Sequence, residues 1–257
     1  MSPAVDSLGE DAALASLITQ SSRVPAGRVE PYGPHDDQRL EWYACGSSTT
    51  PPVVFVHGGF FRPSIDRSHA RLTASALAQE LGAPVVLVEY RRISGHPEAA
   101  VADIRAVSDV LEGMNEDPSV WVGHSAGGAL VLQRAFDRVR PAIPAVALAP
   151  IADLRTAVTE GLAGGAVTAW LGTRRAAKPS RYADLDPGRL ALELPERLDH
   201  VVCLHGEDDC AVPPSQSSDS GIPHQMVSGA HHYDLIDPES EAWPVVLAAI
   251  RSKSVQP

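Results

Sequence analysis

The chain has 257 residues, 44% of them hydrophobic, and a formal net charge of −11 at neutral pH. That length is enough for one sizeable core, and a single α/β domain spanning residues 1–257 is the expected organisation. The acidic balance argues against nucleic acid and anionic membrane as partners, since both are held by clustered Lys and Arg; a small neutral or modestly charged molecule fits better.

The first thirty residues carry Asp6, Glu10 and Asp11 where a signal peptide would place basic and then apolar residues, so a cytoplasmic location is expected. A short helix is predicted from about Ser7 to Ser21, then a Pro- and Gly-containing connection through Pro34. Alternating residues from Leu40 to Cys45 predict a strand, closed by the loop Gly46 to Pro52. Val53-Val54-Phe55-Val56 is a continuous apolar run, as expected of a parallel strand covered on both faces. Helical spacing follows from Asp66, stopped by Gly82 and Pro84, and Val85 to Tyr90 is the next strand. Pro97 opens a helix to about Gly113, Val120 to Gly123 is a third buried strand, and a helix from Ala126 to roughly Arg140 comes after it. Ala145 to Ala149, Val201 to His205 and Pro223 to Val227 continue the strands, and Ser240 to Ser252 makes a closing amphipathic helix.

Strands alternating with helices predict an α/β fold with a mostly parallel central sheet covered by helices on both faces. Between Pro150 and Asp199 the alternation lapses. That interval holds the Gly-rich but helix-compatible Leu162 to Leu171, the basic group Arg174, Arg175 and Lys178, and the turn Asp186-Pro187-Gly188. No run approaches the length of a membrane span. Cys45, Cys203 and Cys210 form no paired framework, although a Cys203–Cys210 bridge is conceivable; reduced thiols are the default, and no metal or cofactor is implied. No helix stands out as a subunit interface, and the oligomeric state is left open.

The chemistry concentrates in Gly123-His124-Ser125-Ala126-Gly127-Gly128, directly after a buried strand. A serine with small residues two places to either side, between strand and helix, sits on a turn too sharp for side-chain bulk, and its hydroxyl stands clear of the backbone. The helix beyond it aims its N-terminus at that hydroxyl, which favours negative charge there. Ser64, Ser94 and Ser215 lie in ordinary loops or caps. Carboxylates that could orient a base follow the strand ending at His205, namely Glu207, Asp208 and Asp209, and Asp153 follows the strand before it. The base is one of the adjacent His231 and His232, which cannot both point into one pocket. Backbone N–H groups of Ala126 and of Gly59 or Phe60 would hold an oxyanion. His57 is expected to hold its turn by hydrogen bonds, and Glu89, Arg91 and Arg92 to pair among themselves at the sheet edge.

In the chain order serine, aspartate, histidine, the sequence resembles the α/β-hydrolase superfamily over about Pro52 to Pro238. Within it, the chain is similar to the esterase and arylformamidase (kynurenine formamidase) branch. The similarity is carried by His57-Gly58-Gly59-Phe60-Phe61, Glu89-Tyr90-Arg91-Arg92, the serine turn, and His232-Tyr233-Asp234-Leu235-Ile236-Asp237-Pro238. Where such enzymes usually continue His-Gly-Gly-Tyr-Trp, this chain has Phe60-Phe61, an apolar wall without the polar handles. The resemblance implies a catalytic set of Ser125, Asp209 and His232, with Asp209 aligned by the pattern His-Gly-x-x-Asp-x-x-Val-Pro, and Asp208 or Asp153 as alternatives. It implies an oxyanion hole from Gly59, Phe60 and Ala126, substrate contacts from Phe60, Phe61 and Trp170, and a small helical cap at about 151–199; an ordinary crossover is the competing reading. The implied activity is cleavage of a small aryl or acyl amide or ester through an acyl-enzyme on Ser125. A general carboxylesterase, a biosynthetic acyltransferase or cyclase, and a non-catalytic binding protein of the same fold are the alternatives.

Overall fold

The computed structural model describes residues 3–44 and 49–254, so the strand end and loop expected around Cys45 fall partly outside the described residues. Eight strands form one sheet in the order β1-β2-β4-β3-β5-β6-β7-β8: β1 Arg28–Pro31, β2 Arg39–Tyr43, β3 Val53–Val56, β4 Val85–Glu89, β5 Val120–His124, β6 Ala145–Leu148, β7 Val201–Gly206 and β8 His224–Val227. The pairings from β4 through β8 are parallel, and β2 runs against the rest, pairing antiparallel with β1 on one side and β4 on the other.

The apolar runs serve two cores by simple alternation. Val54, Val56, Val86, Val88 and Trp121 face one cluster with Ile104, Val107 and Leu111 of α3 (Pro97–Gly113) and Leu130 of α4 (Ala126–Ala135). Val53, Phe55, Val85, Leu87 and Val122 face the other, against Leu17 of α1 (Pro3–Ser21) and Leu77 of α2 (Arg71–Leu81). Because both faces are covered, neither parity needs a polar residue, and the runs read as uninterrupted valine and leucine.

Several elements depart from the sequence expectation. β1 lies where the sequence predicts a connection, since four residues with two charges and a proline carry no apolar signal. The segment before α2 is a 3₁₀ turn, Arg67–Ala70, capped by the Asp66 carboxylate on Ser68 N at 2.9 Å. α4 ends at Ala135, short of Arg140, where the Asp137 side chain takes the Val139 N–H at 2.9 Å and competes with the helical ladder. Arg91 does not join Glu89 and Arg92; it grips the buried Asp103 of α3, at 2.7 Å from Oδ1.

Between β6 and β7 the chain runs through α5 (Leu154–Thr159), α6 (Leu162–Leu171), α7 (Thr173–Ala176) and α8 (Pro187–Glu193). The α6 segment is not a continuous helix: Ala163, Gly164 and Gly165 all take positive φ. After β7 come α9 (Ser215–Ser218) and, beyond β8, α10 (Trp243–Lys253), which starts three residues later than the expected Ser240 because Pro244 belongs in the first helical turn, where its missing N–H costs nothing. Cys203 is a buried free thiol, so the conceivable Cys203–Cys210 bridge is not formed; burial pushes that thiol up to about 12.

Candidate active site

Ser125 sits between β5 and α4 with φ 54° and ψ −116°, a conformation few non-glycine residues adopt. The flanking glycines are dictated by space. A Cβ on Gly123 would lie closer than 3.0 Å to Gly127 O, and one on Gly127 closer than 3.0 Å to Val56 O and His57 O. The helix start is therefore pressed against the end of β3, and only glycine permits it. Ala126 N–H opens α4, where no intrahelical acceptor exists.

Across from it, Gly59 O accepts the Arg62 N–H at 2.9 Å, closing a tight turn whose two central residues, Phe60 and Phe61, have φ 54° and 56°. Such a turn ordinarily takes Asn or Gly, so two phenylalanines there store backbone strain of about 1 kcal/mol each. What holds them is packing. Phe61 stacks face to face on Trp170 of α6, with ring centroids 3.9 Å apart, and Arg62 Nη2 donates to Ala163 O at 2.7 Å. Phe61 and Trp170, expected on a substrate wall, are both buried and pack against each other within the core shared by the sheet and the α5–α8 insertion. Phe60 keeps partial exposure, its ring nearly parallel to that of His232 at 6.3 Å. His57 secures the same turn as expected, with Nδ1 2.6 Å from Gly58 O and Nε2 3.1 Å from Glu89 Oε1. Burial works to raise the Glu89 carboxyl, but His57, Arg92 and the Arg67 N–H together hold it well below the usual range.

Asp209 and His232 come together. His232 Nδ1–H donates to Asp209 Oδ2 at 2.7 Å, with both residues buried. The other carboxylate oxygen accepts Ala211 N at 3.0 Å and Val212 N at 2.7 Å. His205 adds to this: Nε2 lies 2.9 Å from Val212 O and 3.2 Å from Asp209 Oδ2, so the proton is on Nε2, and Nδ1 accepts from Ser217 Oγ at 2.7 Å. Burial opposes ionisation of Asp209, but His232 and His205 outweigh it and keep the carboxylate charged far below its ordinary range. The alternatives lie apart from the His232 ring. Asp153 caps α5 through Thr156 N at 2.9 Å, Asp208 is exposed, and the His231 ring sits on the Asp208 carbonyl at 2.9 Å while His231 N donates to Asp234 Oδ2.

Ser125 Oγ is buried, with the residue 1% exposed, and makes no hydrogen bond among the described residues. Its neighbour His124 links the two halves of the site. His124 Nε2–H donates to His232 O at 3.1 Å, the two rings are 4.5 Å apart, and burial lowers the His124 imidazole far enough to keep it neutral. Two contributors had no sequence signal. Glu10 of α1 accepts Cys210 N at 2.8 Å and His232 N at 3.2 Å through one oxygen, and Arg62 reaches across to the α6 segment. No group of three or more His, Cys, Asp or Glu side chains among the described residues is disposed to hold a metal ion, and no helix among them is long and apolar enough to cross a membrane.

A parallel sheet, a serine on a strained strand-to-helix turn and a buried His–Asp pair at the carboxyl ends of later strands define the class, and the chain belongs to the alpha/beta hydrolase family, whose model matches residues 53–250. Over 97 residues it is 32% identical to the mouse (Mus musculus) sn-1-specific diacylglycerol lipase ABHD11. That match takes in 36% of this chain and only 30% of the mouse protein's length. Among solved structures, an esterase from the archaeon Pyrobaculum calidifontis superposes with TM-score 0.65 at 23% identity, covering 98% of this chain and 94% of that one. Esterase LipW from Mycobacterium marinum gives 0.66 at 18%, covering 97% and 88%. Carboxyl esterase 2 from the fungus Tuber melanosporum gives 0.62 at 20%, covering 90% and 84%. At these identities the likeness speaks for the fold.

Proposed function

We propose that this chain is a serine hydrolase that cleaves a small acyl or aryl ester or amide through an acyl-enzyme on Ser125. The observation that carries the reading is the buried 2.7 Å bond from His232 Nδ1 to Asp209 Oδ2, which fixes the tautomer and leaves His232 Nε2 as an acceptor. Ser125 Oγ attacks the substrate carbonyl as His232 Nε2 takes its proton, and the Asp209 carboxylate stabilises the imidazolium that results. The N–H groups of Ala126 and of Gly59 or Phe60 receive the oxyanion, each worth on the order of 3 kcal/mol of barrier. His232 then protonates the leaving alcohol or amine, and water attacks the acyl-enzyme by the same route in reverse. Since Ser125 Oγ is unbonded and covered, the serine–histidine bond forms as substrate enters. The α5–α8 insertion serves as the cap, tied to the turn by the Phe61–Trp170 stack.

Among substrates, a general carboxylester agrees with the apolar Phe60-Phe61 turn. An aryl formamide is the second reading, favoured by the resemblance of His57-Gly58-Gly59-Phe60-Phe61 and of His232-Tyr233-Asp234 to the arylformamidase pattern. Turnover of p-nitrophenyl acetate and of N-formylkynurenine by wild type and Ser125→Ala tests both. Loss of all turnover in the variant is expected, and equal activity in the two proteins refutes the assignment. Preference for the formamide selects the second reading.

A further inference from the structure

We infer that Glu10, on the N-terminal helix, is a positioning residue for the His232–Asp209 pair, clasping from behind the two loops that carry them. This rests on the serine-hydrolase reading. Glu10 lies about two hundred residues upstream in sequence, yet it is only 5% exposed, and its Oε1 accepts both the Cys210 N–H at 2.8 Å and the His232 N–H at 3.2 Å. One of these amides follows Asp209 directly, and the other belongs to the imidazole residue itself. A single oxygen therefore ties the backbone of the acid loop to that of the base loop. The two loops are also joined by the side-chain bond between the reacting groups, by the His231 ring on Asp208 O and by Asp208 N on Ala230 O.

The clasp has an electrostatic side. Burial raises the Glu10 carboxyl and the nearby Asp209 charge adds to this, while the two amide bonds and His232 act against it. A carboxylate here puts a second negative charge beside the imidazole, favouring the imidazolium formed during acyl transfer. The helix that carries Glu10 is itself anchored, because Leu17 packs into the core face of α2 and Ser21 Oγ donates to His69 O at 2.6 Å. Asp11, next along the helix, is exposed and serves as the internal control.

The test compares full-length wild type, Glu10→Gln, Glu10→Ala and Asp11→Asn by amide hydrogen exchange, fluorophosphonate labelling of Ser125 and the pH profile of p-nitrophenyl acetate hydrolysis. In Glu10→Ala, exchange at the Cys210 and His232 amides accelerates at least tenfold, kcat falls about tenfold with KM within twofold, and the acid limb of kcat/KM moves to lower pH by about half a unit. Glu10→Gln keeps an acceptor oxygen and recovers much of the kcat, but the displaced acid limb persists. Asp11→Asn behaves as wild type. Unchanged exchange at both amides in Glu10→Ala overturns the clasp, and unchanged kcat and acid limb with loosened amides overturns its role in the reaction. Failure of wild type to label at Ser125 sinks the hydrolase reading and the positioning role together, while the exchange data still decide the clasp.

Discussion

Replacing Gly127 by alanine probes the link between packing and chemistry most directly. The added methyl would meet Val56 O and His57 O inside 3.0 Å, and both are backbone atoms of the central strand and its exit, which cannot rotate away. Relief requires the start of α4 to back off from β3 by about 1 Å, and overpacking of that kind costs about 2–3 kcal/mol. In a chain of this length the melting temperature then falls by roughly 5–10 °C. Ser125 immediately precedes α4 and moves with it, and a 1 Å misplacement of a reacting group lowers kcat/KM on the order of a hundredfold. Calorimetry and ester hydrolysis, with Gly113→Ala as a control in open space, measure both effects. Wild-type melting and wild-type rate in Gly127→Ala would show that the close approach of helix and strand does not set the position of the serine.

Asp209→Asn should fold normally yet lose about 10⁴-fold in kcat, because an amide N–H facing His232 Nδ1 moves the imidazole proton to Nε2 and abolishes the acceptor; a loss below tenfold refutes the assigned tautomer. His69 is buried and, with His57 adding to the effect, lowered to about 4, so below its ordinary 6.5 the unfolded chain takes up a proton that the native chain refuses. Wild type should therefore lose about 3 kcal/mol of stability from this group as pH falls from 6.5 to 4, and urea unfolding of His69→Gln across that window should show a shallower slope. Arg62→Ala frees Ala163 O from its cross-loop donor, and faster amide exchange over 163–166 is expected with a stability change under about 1 kcal/mol; unchanged exchange would mean that the stack of Phe61 on Trp170 alone holds the segment.

What the sequence made legible follows from periodicity and chain order. β3, β4 and β5 are visible because both parities of each strand are buried, and the serine turn because its glycines answer to local sterics. The pairing of His232 with Asp209 required the family pattern, since spacing alone could not separate Asp209 from Asp208 or His232 from His231. Tertiary partners defeat local reading elsewhere. Arg91 looks like a member of a sheet-edge ion cluster and is claimed by Asp103, twelve residues on and one helix away. Phe61 and Trp170 look like pocket lining, and the fold stacks one on the other within the core. Glu10 looks like an ordinary helix-surface acid, and only the folded chain brings it beneath the histidine loop.

The border strand β1 carries a consequence for association. Its four residues are Arg28, Val29, Glu30 and Pro31, mostly exposed, with Arg28 paired to Glu30 and Pro31 offering no amide hydrogen. A neighbouring molecule that tried to prolong the sheet from this margin would have to strip water from a guanidinium and a carboxylate and accept a gap in its ladder. Growth into ribbons is thereby discouraged on this flank by three side chains of the border strand itself.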